Sequence, residues 1–113
     1  MISILGAGLA GSSAAIAACD AGSPAELIER SHHPRHKVCG EFLSPEIARE
    51  LERLGLWNEF LALRPARVTR MRLRFERREK QCRLPEPGWG LSRYQLDWLL
   101  HRTAIERGAT STE

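Results

Sequence analysis

Gly6, Gly8 and Gly11 stand at G-x-G-x-x-G spacing between a short apolar run, Ile2 to Leu5, and a small-residue segment from Leu9 to Ala21. Few folds use such a turn between a strand and a helix. Gly6 permits the tight reversal, Gly8 clears a Cβ from the path of an approaching anion, and Gly11 lets the helix pack closely on the strand. The free amides and partial positive charge of the helix N-terminus favour a pyrophosphate in front of the turn, so the turn itself needs no lysine. Gly22, Ser23 and Pro24 stop the helix, and Ala25 to Glu29 reads as a second short strand, with Leu27 and Ile28 for a buried sheet. The unit is strand, helix, parallel strand. No Gly-Lys-Ser/Thr follows the turn, which excludes a P-loop.

Glu29 closes the second strand about twenty residues past the turn, where a carboxylate accepts hydrogen bonds from the hydroxyls of an adenosine ribose. Its charge repels a 2′-phosphate and favours FAD or NAD over NADP. The candidate site for the ADP half of a dinucleotide is therefore Gly6, Gly8, Leu9, Ala10, Gly11 and Glu29. A competing reading makes residues 1–19 an export signal, because Ile16-Ala17-Ala18-Cys19 resembles a lipoprotein cleavage box. Against it, no Lys or Arg precedes the apolar region.

Ser31 to Gly40 is polar and carries His32, His33 and His36, so it reads as a loop of the kind that often carries function. Ser44 as N-cap and Pro45 at N1 predict a helix with Ile47, Leu51 and Leu54 on its apolar face and Gly55 as its stop. Leu56 to Leu63 predicts a second short helix, closed by Pro65. From Val68 the period changes to two, with Met71, Leu73 and Phe75 on one face and Arg70, Arg72 and Arg74 on the other. Glu76 to Lys80 is the expected turn and Gln81 to Leu84 the returning strand, before a loop with Pro85, Pro87 and Gly88. Ser92 and Gln95 form an S-x-x-Q capping box, followed by the stripe Leu96, Leu99, Leu100 and Ala104 and a stop at Gly108. Ala109 to Glu113 enters no predicted element.

A chain of 113 residues, 42% hydrophobic and 27% charged, fits one folded domain and excludes a collagen-like or wholly disordered polypeptide. Cys19, Cys39 and Cys82 are too few for a secreted disulfide framework and fit reduced thiols in the cytoplasm. No membrane-spanning helix is expected. Arg64 to Arg83 holds nine bases against Glu76 and Glu79, a density that suits a solvated face or an anionic partner. A nucleic-acid-binding hairpin is the non-enzymatic alternative. Without a helix-turn-helix, zinc-ligand or stacking-aromatic pattern no nucleic acid is expected. No metal is expected either, since the three loop histidines have no second cysteine beside Cys39.

Taken together, the glycine turn, the Glu29-Arg30 strand end, the segment Pro34-Arg35-His36-Lys37-Val38-Cys39-Gly40-Glu41 and Ser92-Arg93-Tyr94-Gln95-Leu96-Asp97 resemble the FAD-dependent monooxygenase and geranylgeranyl reductase superfamily. The K-x-C-G segment is most similar to the geranylgeranyl reductase branch and to related flavoprotein halogenases and dehydrogenases. The resemblance implies FAD as cofactor, with Glu29 on the adenosine ribose and Arg30 beside the adenine. It also implies Arg35 or Lys37 near the phosphates, the Cys39-Gly40 turn near the isoalloxazine, and Arg93 as a further FAD contact. It leaves room for NAD(P)H as external reductant and for an isoprenoid or aromatic small-molecule substrate, reduced in one branch and oxygenated in the other. It assigns no catalytic residue. An NAD-dependent dehydrogenase shares the turn and the acid but gives no reason for the K-x-C-G segment or Arg93.

Family members are several times longer, so the expectation is the N-terminal part of a larger oxidoreductase. The fold class expected is α/β: a partial Rossmann-like FAD-binding domain over residues 1–113, with a βαβ unit, further helices and a β-hairpin at 66–84 that starts a substrate domain. As a doubly wound sheet it is incomplete, and with sheet edges and apolar faces uncovered it is expected to be weakly stable alone.

Overall fold

In the computed structural model, which describes residues 1–113, β1 (Ile2–Leu5) turns through Gly6 into α1 (Leu9–Asp20). Gly22, at φ +80°, then returns the chain to β2 (Ala25–Ile28), which pairs in parallel with β1, Ile2 opposite Ala25 and Leu5 opposite Ile28. The loop from Glu29 to Glu41 leads to β3 (Phe42–Leu43), a two-residue strand too short to be read from its sequence.

α2 (Ile47–Arg53) and α3 (Trp57–Ala62) follow, separated at Gly55, whose φ of +70° is the left-handed stop expected of it. α2 begins later than Ser44 and Pro45 suggest. Its N-cap is Glu46 without a side-chain cap, because Ser44 is used differently: its carbonyl accepts the Ile47 amide and its hydroxyl turns to the Glu46 carboxylate.

β4 (Ala66–Phe75) and β5 (Arg78–Gly90) form a long antiparallel hairpin, and β3 joins the outer side of β5. The turn is only Glu76-Arg77, tighter than the Glu76–Lys80 span expected, and β5 runs through Pro85, Pro87 and Gly88 where a loop is expected. The prolines are tolerated because the register slips there. Val68 faces Gly88 and Arg70 faces Arg83, so the intervening β5 residues bulge and their missing N–H groups break no ladder bond. Trp57, Phe60 and Trp89 pack their rings at 5.3 to 6.1 Å and tie α3 to the base of this sheet.

Ser92 caps α4 (Arg93–Glu106), its hydroxyl accepting the Gln95 amide at 3.2 Å. The other half of the expected box is replaced by a contact in which the same hydroxyl donates to Gln95 Oε1 at 3.3 Å. Gly108, at φ +105°, ends the helix, and the chain continues into β6 (Thr110–Thr112), parallel to β2 with Thr112 opposite Ile28. This corrects the reading of Ala109 to Glu113 as entering no element: the sheet has three parallel strands in the order β1-β2-β6. Thr-Ser-Thr has no apolar alternation to announce it and becomes a strand by pairing with β2.

α1 and α4 pack side by side on one face of that sheet, burying Ala15, Ile16, Ala25, Leu27, Leu96, Leu100 and Ala104. The opposite face, which carries Leu5 and Ile28 by strand alternation, is uncovered, with Leu5 83% exposed. Helices therefore cover one side of the parallel sheet only, a partial Rossmann-like arrangement. No helix is long and apolar enough to cross a membrane.

Candidate functional site

The glycine turn is built as its spacing requires, and each glycine has a different physical reason. Gly6 adopts φ +94°. A Cβ on Gly11 would lie 1.8 Å from the Gly6 carbonyl oxygen and 3.3 Å from Ile4 Cγ2, so only glycine lets α1 approach β1 this closely. A Cβ on Gly8 would meet no backbone, and its nearest neighbours would be Lys37 Nζ and Arg93 Nη2, each 3.8 Å away. Gly8 is the N-cap of α1, which has no side-chain cap and no acidic residue in its first turn. The first-turn amides, including those of Leu9 and Ala10, are thus unclaimed by any side chain and two cations stand over them.

Glu29 is 9% exposed and anchors the turn from the end of β2. Its Oε2 accepts the Ala7 amide at 2.8 Å and Arg35 Nη2 at 3.4 Å, while Oε1 accepts the Arg30 and Ser31 amides at 2.9 and 3.1 Å. Burial pushes the Glu29 carboxyl up, but the Ala7 and Ser31 amides, the Arg35 guanidinium and the Arg30 amide outweigh it and hold its pKa below the ordinary value. Gly6, Glu29, Arg30, Arg35, His36 and Lys37 line one open cleft of about 620 Å³.

Arg93 enters the site from the first turn of α4. Its Nε and Nη2 donate to the two oxygens of buried Asp97 at 2.7 and 3.1 Å, which raises the Arg93 pKa and fixes the fork beside Gly8. Cys39 is exposed, and its sulfur accepts the Glu41 amide at 3.3 Å. Gly40 is exposed with nothing near its Cβ position.

Of the residues read from sequence, the fold gathers Gly6, Gly8, Leu9, Ala10, Gly11, Glu29, Arg30, Arg35, Lys37 and Arg93 around the mouth of the turn. Arg35 faces Glu29 and His33, whereas Lys37 faces Gly8.

Four further residues near the site carry no role in the sequence reading. Asp97 was discoverable from its i, i+4 relation to Arg93. His33, His101 and Glu113 come from a loop, a helix and a strand end, with no local signal linking them. The His33 side chain, 1% exposed, places Nε2 3.0 Å from the Ala7 carbonyl and Nδ1 2.9 Å from Glu113 Oε1. His101 stacks on it, centroids 4.0 Å apart and planes 6° apart, with its own Nδ1 buried and unpartnered. Burial lowers the His101 pKa, helped by neighbouring His33 and opposed by Glu113 and Glu29. Burial pushes the Glu113 carboxyl up, but its hydrogen bonds to His33 and His32 hold it below the ordinary value. One ligand atom from each of His33, His101 and Glu113 lies within 4.8 Å of the others. Because the rings are parallel, their in-plane lone pairs run alongside each other rather than meeting, so the group is a hydrogen-bonded stack.

No family model matches the chain. Menaquinone reductases of Mycolicibacterium smegmatis and Mycobacterium tuberculosis are 31% and 32% identical over 94% of this chain. The chain spans 27% of the length of each. Among solved structures, the flavin-dependent halogenase CmlS matches 99% of this chain and 22% of its own, with 28% identity and a TM-score of 0.86. The chain has the fold of the corresponding portion of this flavin-dependent enzyme. The flavin-dependent brominase Bmp2 gives the same result, with 25% identity, a TM-score of 0.83, and coverage of 98% of this chain and 28% of that one. In this fold Gly6 of the turn and the acid at Glu29 open on a common cleft.

Proposed function

We propose that this chain holds the ADP half of FAD and that the whole protein is an FAD-dependent oxidoreductase acting on a small molecule of the isoprenoid or aromatic class. The observation that carries this reading is the meeting of Lys37 and Arg93 over Gly8, at the uncapped N-terminus of α1. An anionic group fits there. The space in front of Gly8 is what a Cβ would fill, donors surround it, and no carboxylate competes from the first turn of α1.

The amides of Leu9, Ala10 and Gly11 would hold the pyrophosphate with Lys37 and Arg93, and Arg30 would lie along the adenine. Glu29 would hold the ribose. Its two oxygens already receive four donors, and a carboxylate has about four lone-pair sites, so a ribose hydroxyl displaces the longest of these, Arg35 at 3.4 Å. Arg35 is then available to the phosphates. When bound, the flavin supplies the two-electron chemistry. Cys39 and Gly40, in an exposed turn beyond Lys37, are assigned to the edge of the flavin ring by resemblance.

Reduction is the favoured direction, with NAD(P)H as external reductant. The relatives named menaquinone reductase match over nearly the whole chain. The test is the colour and content of the purified full-length protein, followed by NADH and NADPH oxidation with and without a prenylated quinone. Bound FAD and quinone-dependent oxidation support the reading. A colourless protein that binds NAD alone would replace it with a dehydrogenase.

A further inference from the structure

Ala7 is gripped on both sides of its backbone. Its N–H donates to Glu29 at 2.8 Å, and its carbonyl faces His33 Nε2 at 3.0 Å, with Ser12 Oγ donating to the same oxygen at 3.2 Å. The Ala7–Gly8 peptide is trans and planar, so a carbonyl held toward His33 points the Gly8 N–H the opposite way. We propose that His33 is a positioning residue for the anion-binding turn, a role that rests on the FAD reading of the site.

A carbonyl oxygen only accepts, so Nε2 must carry a proton to hold Ala7. An ionised carboxylate only accepts, so Nδ1 must carry a proton to hold Glu113 at 2.9 Å. The doubly protonated ring makes both bonds at once. In the neutral ring one bond must lapse, and Arg35 decides which. Its Nη1 lies 3.1 Å from Nε2 and donates to it once that nitrogen is bare. Neutral His33 therefore keeps Glu113 and captures Arg35, while protonated His33 holds Ala7 and repels Arg35 toward the cleft.

The charged groups around the ring favour this exchange. Glu113 at the end of β6 and Glu29 at the end of β2 are anionic. Arg35 in the loop is cationic, His32 shares the Glu113 carboxylate at 3.1 Å, and His101 of α4 stacks on the ring with its pKa lowered. The consequence is a glycine turn whose Ala7–Gly8 peptide is aimed by one buried imidazole.

The experiment compares the full-length wild-type protein with His33→Gln and His33→Ala. FAD affinity is measured for each. His33→Ala is expected to bind about tenfold more weakly than wild type, a bond's worth of affinity, and His33→Gln, a permanent neutral donor, to keep most of that affinity. Equal affinity in wild type and His33→Ala overturns the proposal. Ring-nitrogen NMR of the cofactor-free protein gives a readout independent of flavin: a proton on Nε2, held by the Ala7 carbonyl. A ring with a bare Nε2 overturns the contact. Failure of wild type to bind FAD overturns the FAD reading, and the ring state then decides the His33–Ala7 contact by itself.

Discussion

Asp97 receives Arg93 through two hydrogen bonds, at 2.7 and 3.1 Å, and thereby aims the shared Nη2 at the space in front of Gly8. Asp97 is completely buried, and Arg93 is largely covered. Replacing Asp97 with alanine leaves a covered guanidinium unpaired, with an expected loss of about 3 kcal/mol in denaturant unfolding together with weaker flavin binding. Arg93→Lys separates the two effects. An ammonium satisfies Asp97 but cannot also face the anion through a second nitrogen, so stability is expected to stay within about 1 kcal/mol while flavin affinity falls about tenfold. Equal flavin binding in Arg93→Lys and wild type would remove Arg93 from the site.

Gly8 and Gly11 should fail in opposite ways. A methyl at Gly11 collides with the Gly6 carbonyl, and Gly11→Ala is expected to destabilise the fold by about 3 kcal/mol, as severe overpacking does. A methyl at Gly8 has no contact closer than 3.8 Å. Gly8→Ala is expected to unfold within about 1 kcal/mol of wild type and still lose most of its flavin affinity, because the methyl fills the anion's place. Thermal melts with flavin titration of both variants check the pair.

The contrast between these residues shows what sequence can disclose. The turn, Glu29 and the αL stops at Gly22, Gly55 and Gly108 were legible because the physics lies within a few residues: a φ above zero, a capping hydroxyl, a period of two or of three to four. The grip of His33 on Ala7 and Glu113 was not, since it joins positions far apart in the chain through packing. Thr110–Thr112 was missed for a related reason, because a short polar strand is specified by its neighbour's backbone and not by its own pattern. Pro85 and Pro87 argued for a loop, and a bulge in the register kept them within β5. The sequence leaves open whether Arg35 or Lys37 meets the phosphates; the fold separates them, one on Glu29 and one over Gly8.

Acid should weaken the fold. The folded-state pKa values of Glu29 and His101 both lie below their ordinary values of 4.5 and 6.5, so the unfolded chain takes up protons first in each case. The stability from neutral His101 is complete above pH 6.5 and declines as pH falls from there toward its folded value. That from ionised Glu29 is complete above 4.5 and is lost as pH falls through its folded value. Urea midpoints measured from neutral pH downward should fall in these two stages, and His101→Leu should flatten the upper one. A midpoint that rises on acidification would contradict the assignment.

The uncovered face of the parallel sheet sets the stability of residues 1–113 alone. Leu5 and Ile28 are exposed on it, Leu73 and Phe75 are exposed on the hairpin, and only 20 of 113 residues are buried. A circular-dichroism melt of this segment is expected to be broad and to start at low temperature. A sharp transition at high temperature, in a monomer, would show that the two helices on one side of the sheet suffice.

Flavin occupancy tests the roles of the Gly8 turn and Glu29 most directly. Full-length protein is purified as wild type, Gly8→Val and Glu29→Ala, and the ratio of released FAD to protein is determined for each. Wild type should carry FAD, and both variants should lose nearly all of it while keeping their helical circular-dichroism signal. Undiminished occupancy in both variants would contradict the assignment of this turn and this acid to the cofactor.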